Sequence, residues 1–126
     1  MIFVADPSRD TRLGLQLLFD HEPGMRVVGI SVRSQELVGQ VGAVQPDVLI
    51  LDWQLVASAP FEFIRNLHSV ESHPYIIVTH IHPGTEQKAA AAGADAFFCK
   101  DGPTDPLLMI LQKLRRKRIE EQEFKE

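Results

Sequence analysis

The stretch PDVLILD, residues 46 to 52, sets the fold. Four consecutive apolar residues, Val48-Leu49-Ile50-Leu51, are bracketed by Pro46-Asp47 and by Asp52. A run this short is apolar on both faces, so it reads as a strand buried on both sides of a parallel sheet. Three other runs share its grammar. Ile2 to Ala5 stops at Asp6, Tyr75 to Val78 stops at Thr79, and Ala96 to Cys99 stops at Lys100. A weaker fifth run, Arg26-Val27-Val28-Gly29-Ile30, reads as an edge strand.

Helical patterns separate these runs. A helix is expected from about Ser8 through Leu15, Leu18 and Phe19, stopped by Pro23-Gly24. After Ser34, the expected N-cap, Leu37, Val38, Val41 and Val44 make one apolar face that Pro46 ends. Pro60 opens a helix carrying Phe61, Ile64 and Leu67. Glu86 to Ala92 is short and alanine-rich, stopped by Gly93. Thr104 caps a last helix with Leu107, Leu111 and Leu114 at helical spacing. Strand and helix alternate five times. That predicts an α/β fold, a flavodoxin-like doubly wound five-stranded parallel sheet of order 2-1-3-4-5 with helices on both faces.

A chain of 126 residues suits one domain, and 44% hydrophobic with 24% charged residues is ordinary for a soluble globular protein. A net charge of −4 gives no reason to expect direct nucleic-acid binding by this segment. The single cysteine, Cys99, excludes an intrachain disulfide and is compatible with a reducing cytosol. Its place inside a strand predicts a buried small hydrophobe. The apolar runs are far too short to span a membrane, and Met1-Ile2-Phe3-Val4 does not read as a signal peptide. A cytoplasmic protein with no membrane partner is the expectation.

The residues that end the four buried runs carry the chemistry. In a parallel sheet all carboxyl ends lie on one edge, and ligands bind there where the strand order reverses. Asp6 and Asp52 flank that crevice, and Thr79 and Lys100 come in from neighbouring strands. Plainer readings stand beside this one. Asp6 could cap the first helix with Pro7 at its first position. Asp52 and Lys100 could form a structural salt bridge, Thr79 could be an ordinary strand-end hydroxyl, and Phe97 and Phe98 read as core. His80-Ile81-His82 has the look of a metal pair, with His73 near in sequence, but no third ligand is defined and a zinc site is not expected. Trp53 follows Asp52 and serves as a probe of the site. The basic run Arg115 to Arg118 is expected to pair along one helix with Glu120, Glu121 and Glu123.

Several motifs recur in a familiar order. They are Ala5-Asp6, Gln45-Pro46-Asp47 leading to Asp52, Val78-Thr79, Gly93-Ala94-Asp95-Ala96-Phe97, and Lys100-Asp101. Together they resemble the receiver domain of two-component response regulators, over residues 1–116. Residues 117–126 are left as a charged helix end or linker stub. Ala92 to Asp95 and Lys100-Asp101 look most like receivers that precede a helix-turn-helix output domain, and none is present in these 126 residues.

The resemblance implies a phosphoryl switch. Asp52 would be the phosphoacceptor, taking a phosphoryl group from a phosphohistidine on a sensor histidine kinase or phosphotransfer protein. Mg²⁺ would be held by Asp6, Asp52 and the main-chain carbonyl of Gln54. Lys100 would pair with the phosphoryl oxygens and Thr79 would donate a hydrogen bond to them. The aromatic at Phe97 would then turn inward and a protein-interaction surface would change its partner, an output domain or a separate protein. No enzyme activity is implied beyond transient phosphorylation and dephosphorylation of Asp52. A homodimer would use the first helix or the face built by the last strand and the two last helices.

The departures from the family pattern are specific. A second acid is usual after Asp6, and this chain has Pro7, which offers neither a side-chain oxygen nor an N–H. Metal affinity is expected to suffer, with water filling the gap. Asp10, the nearest spare carboxylate, is about one helical turn on. Val56 and Pro60 stand where proline and glycine are frequent. His80 stands where a small residue is usual and is expected to crowd the phosphoryl site, and Phe97 lacks the hydroxyl of the commoner tyrosine. Two functions follow: a working phosphoacceptor, or a pseudo-receiver that binds partners without phosphorylation. A flavodoxin-like enzyme or nucleotide binder is disfavoured, because the turn Asp6-Pro7-Ser8-Arg9 has no glycine and begins with a repelling charge.

Overall fold

The computed structural model describes residues 1–125, with the side chains of 118 and 122–125 outside the description. The strands are β1 (Ile2–Ala5), β2 (Val27–Ser31), β3 (Val48–Asp52), β4 (Tyr75–His80) and β5 (Ala96–Cys99). The helices between and after them are α1 (Arg9–Asp20), α2 (Leu37–Val44), α3 (Pro60–His68), α4 (Thr85–Ala91) and α5 (Asp105–Lys125). A 3₁₀ turn, Trp53–Leu55, follows β3 directly.

The five strands form one parallel sheet in the order β2-β1-β3-β4-β5, as the alternation predicts. Successive side chains point to opposite faces, so each apolar run feeds two cores. Ile2, Val4, Val48, Ile50, Ile77 and Phe98 meet Leu15 and Phe19 of α1 and Leu107 and Leu111 of α5 on one face. Phe3, Ala5, Leu49, Leu51, Ile76 and Val78 meet Leu37 and Val41 of α2, Ile64 and Leu67 of α3, and Ala89 of α4 on the other. The edge strand β2 pairs only with β1, and the register slips between Ile2 and Phe3. Gly29 is required there, since a Cβ would run into the buried Phe3 ring.

Local expectations fail where the backbone turns. Ser34 does not cap α2. The cap position is Glu36, in the left-handed conformation at φ 68 with no side-chain cap bond, and Ser34 contributes only its carbonyl to Leu37 N–H. Asp6 is not the cap of α1 either. That role belongs to Ser8, whose hydroxyl oxygen accepts Thr11 N–H at 3.3 Å. Phe61 is 64% exposed, because only Ile64 and Leu67 on α3 turn to the sheet with Phe63 beside them. Cys99 is half-buried rather than buried, since it ends β5 on the rim, with its thiol directed at the Ile81 carbonyl.

The last helix runs through 116 without a break. Its basic residues do not pair as expected. Among the described residues, Arg115 donates from Nη1 to the Pro23 carbonyl at 2.8 Å, and no ion pair joins Arg115, Arg116 or Lys117 to Glu120 or Glu121. Pairing with the side chains of Arg118 and Glu123 lies outside the described residues.

Candidate functional site

The strand order reverses between β2-β1 and β3-β4-β5, so the crevice opens at the carboxyl ends of β1 and β3. Asp6 is the residue after β1, Asp52 is the last of β3, and Thr79 is paired across the ladder with Asp52. Lys100 follows β5, and its N–H donates to the His80 carbonyl at 2.8 Å. All four residues therefore arrive at one edge from four adjacent strands. Three of them are buried, Asp6 at 1%, Asp52 at 2% and Thr79 at 2% exposure.

The lysine closes the crevice. Lys100 Nζ lies 2.9 Å from Asp6 Oδ2 and 2.7 Å from Asp52 Oδ2. The outer oxygens are also occupied: Asp6 Oδ1 accepts Ser8 N–H and Asp52 Oδ1 accepts Gln54 N–H, each at 2.8 Å. Each carboxylate is thus oriented by its own following turn before any ligand arrives. One ammonium against two carboxylates leaves one negative charge in a buried pocket. Burial pushes the Asp6 carboxyl above its ordinary range, and the nearby Asp52 charge adds to this against the pull of Lys100 and Ser8. For Lys100 burial pulls downward, but its bonds to Asp52 and Asp6 and their charges together hold the ammonium above the ordinary lysine value.

Thr79 Oγ1 is buried and has no hydrogen-bond partner among the described residues. Such an orphan is costly and rare, and it sits on the residue that faces Asp52 across the β3–β4 ladder. Phe97 is half-buried and packs against the α2, α3 and α4 side of the core, across the ladder from Val78. Trp53 is half-buried on the same side, one residue beyond Asp52. Pro7 and Asp10 are both exposed, so neither adds an oxygen to the buried pair. The His80 ring is turned toward α4, with Nδ1 3.1 Å from Thr85 Oγ1. It lies tilted against the His82 ring, 5.0 Å between centroids. No group of three His, Cys, Asp or Glu side chains able to hold a metal occurs among the described residues.

One participant escapes sequence reasoning altogether. Arg12 on α1 reaches back and donates from Nη1 to the Asp6 carbonyl at 2.8 Å, fixing the main chain of the acid it follows by six residues. No motif announces it. The only signal is its place on the second turn of a helix whose cap lies beside the site.

Comparison with known proteins agrees with this geometry. Residues 2–112 match the family model of the response regulator receiver domain. The transcriptional regulatory protein DesR of Bacillus subtilis is 30% identical over 113 residues, covering 90% of this chain and 57% of that protein. A protein-glutamate methylesterase/protein-glutamine glutaminase of Myxococcus xanthus is 28% identical over 120 residues, 94% of this chain but only 34% of its own length. The chain therefore spans about half or less of these relatives. Among solved structures, a LuxR-family two-component response regulator from an Aurantimonas species superposes with a TM-score of 0.77 at 23% identity, covering 90% of this chain and 84% of that one. The response regulator domain of Thermotoga maritima CheB gives 0.72 at 23%, covering 91% and 92%. At that identity the likeness speaks for the fold, and the family follows from the sequence match. No helix among the described residues is long and apolar enough to cross a membrane. A parallel sheet of order 2-1-3-4-5 with two carboxylates and a lysine at its switch point, matched over residues 2–112, makes this chain a member of the response regulator receiver domain family of two-component signalling.

Proposed function

We propose that Asp52 is the phosphoacceptor of this receiver, loaded from a phosphohistidine on a histidine kinase or phosphotransfer protein in the cytoplasm. The observation that carries this reading is the two-to-one pairing of buried Asp6 and Asp52 with Lys100. A salt bridge built only for stability needs no second carboxylate and leaves no buried charge over.

In the transfer, an oxygen of Asp52 bonds to phosphorus as the bond from phosphorus to the donor imidazole breaks, and the electron pair returns to the imidazole. The transition state is loose, so the site contributes position and charge. The Gln54 N–H and the Lys100 ammonium hold the two Asp52 oxygens apart in a fixed plane. Lys100 then follows the phosphoryl oxygens as a compact cation. Thr79 Oγ1 gains the partner that it lacks at rest.

Receiver domains generally bind Mg²⁺ at an acidic pocket. Here the candidate ligands are the Asp6 and Asp52 carboxylates and the Gln54 carbonyl, a hard-oxygen set that suits this ion with several waters retained. The unbalanced negative charge of the pocket is the feature that fits a divalent cation. Bound there, Mg²⁺ would neutralise charge developing on the phosphoryl oxygens. Pro7 at the usual second acid weakens that binding, and Pro7→Asp should tighten it by about tenfold or more, measured by Mg²⁺ titration of Trp53 fluorescence.

Downstream, the movement of Thr79 and the inward turn of Phe97 would alter the α4, β5 and α5 face for an output domain or partner protein. Self-association would use that face, where Met109 is exposed, or α1, where Leu13 and Leu17 are. Mg²⁺ with beryllofluoride or a small phosphodonor tests the reading, followed by Trp53 fluorescence and intact mass. A saturable, Mg²⁺-dependent response lost in Asp52→Asn is expected. No response from a folded protein at high Mg²⁺ would make it a pseudo-receiver.

A further inference from the structure

His80 stands between the site and α4, and its three connections are unlike one another. Its carbonyl accepts the N–H of Lys100 at 2.8 Å. Its ring nitrogen Nδ1 lies 3.1 Å from Thr85 Oγ1 and accepts His82 N–H at 3.3 Å. A nitrogen that accepts a backbone N–H carries a lone pair and no proton, which assigns the ring proton to Nε2 and makes the Thr85 hydroxyl the second donor. Thr85 is the first residue of α4 and only 7% exposed, so the ring is fastened to a buried anchor. From the other side, the Cys99 thiol is directed at the Ile81 carbonyl at 3.5 Å, and Cys99 is the ladder partner of His80. The turn 81–84 is thereby tied at both its start and its flank. Thr79, immediately before His80, keeps its buried hydroxyl unsatisfied in this arrangement.

We infer that His80 is a positioning residue that holds the β4–α4 turn in its resting place and so opposes the movement of Thr79 toward a group on Asp52. This rests on the phosphoacceptor reading above. For Thr79 to satisfy its hydroxyl, the end of β4 shifts, and the His80 ring is carried with it or leaves Thr85. The two ring bonds are therefore lost or stretched only in the engaged state. Their loss is a toll on switching that a small side chain at position 80 would not levy. Two neutral hydrogen bonds, one of them long, correspond to about a five- to tenfold bias toward rest.

The test compares His80→Ala with His80→Asn, whose carbonyl can still accept the N–H two residues on. Two readouts are used on the intact chain: amide hydrogen exchange over 81–86 without any phosphodonor, and the beryllofluoride concentration that half-saturates the Trp53 signal at fixed Mg²⁺. His80→Ala is expected to speed exchange in the turn and to lower the half-saturating concentration by about five- to tenfold, with His80→Asn close to the parent in both. Unchanged exchange in His80→Ala overturns the inference. So does faster exchange with an unchanged half-saturating concentration, which would make the ring a structural staple alone. A parent chain that ignores beryllofluoride while His80→Ala loosens the turn overturns the phosphoacceptor reading, and the gating role with it.

Discussion

Lys100 answers two carboxylates with one ammonium, and the consequences are strongest at the single residue. Lys100→Met would leave Asp6 and Asp52 facing each other unpaired in a buried pocket. Urea unfolding at neutral pH should show a loss of about 3–5 kcal/mol, partly recovered on acidification as the Asp6 carboxyl takes up a proton. Asp6→Asn should act in the opposite direction. The Asp6 carboxyl is held above its ordinary 3.8 by burial, so the folded chain keeps a proton that the unfolded chain has released. The stability that this group contributes therefore grows as pH falls through that window and is absent at neutrality. The variant should be more stable than the parent near neutral pH, with the gap closing under mild acid, and its Mg²⁺ response should be weakened. For Lys100 the sign is reversed in range: its support is complete below the ordinary 10.5 and is lost as pH rises through the higher folded value. Asp6, Asp52, Thr79 and Lys100 were all legible in the sequence, because a lone polar residue at the end of a buried strand is conspicuous. Arg12 was not, since a guanidinium that reaches a main-chain carbonyl across a turn leaves no pattern.

Among the elements, strands were easier to read than caps. A run such as Val48 to Leu51 is apolar on two faces only if two layers cover it, and both layers are present. Helix starts depend on a few dihedral angles instead, and α2 begins from a left-handed Glu36 that no propensity favours. Phe61 shows the same limit, because an aromatic residue in the first turn of α3 fits the apolar pattern but points outward. Where glycine is demanded by the chain, the prediction is firmer. Gly93 ends the α4 segment at φ +105, and a Cβ there would approach Ile64 Cγ2 to 3.3 Å. Gly93→Ala should cost about 1–3 kcal/mol in thermal or urea unfolding, from backbone strain with a small packing component. Removing the α1 cap by Ser8→Ala should cost about 1 kcal/mol and leave Asp6 with all of its own partners, since it is the Ser8 N–H, not the hydroxyl, that Asp6 accepts.

At the scale of the molecule, one sheet serves as the shared wall of two cores, and neither core closes without it. Unfolding should therefore be a single transition. Phe19 is fully buried on the α1 and α5 side, whereas Trp53 packs on the other. Phe19→Ala should lower stability by about 3–5 kcal/mol, with the midpoints from Trp53 fluorescence and far-ultraviolet circular dichroism still coincident. Separate midpoints would mean that the two faces come apart independently. The topology was legible because right-handed crossovers and five alternating units leave few arrangements. The reach of α5 to Lys125 was not, because a helix charged on most sides has no face to declare how far it continues. The bridge that Lys100 makes at the sheet edge has its own bearing on the whole protein. A tethered ammonium is a counter-ion at fixed effective concentration: dilution does not thin it and dialysis does not remove it. An outside cation drawn to those carboxylates would therefore compete with a charge whose strength the geometry of the chain sets in advance.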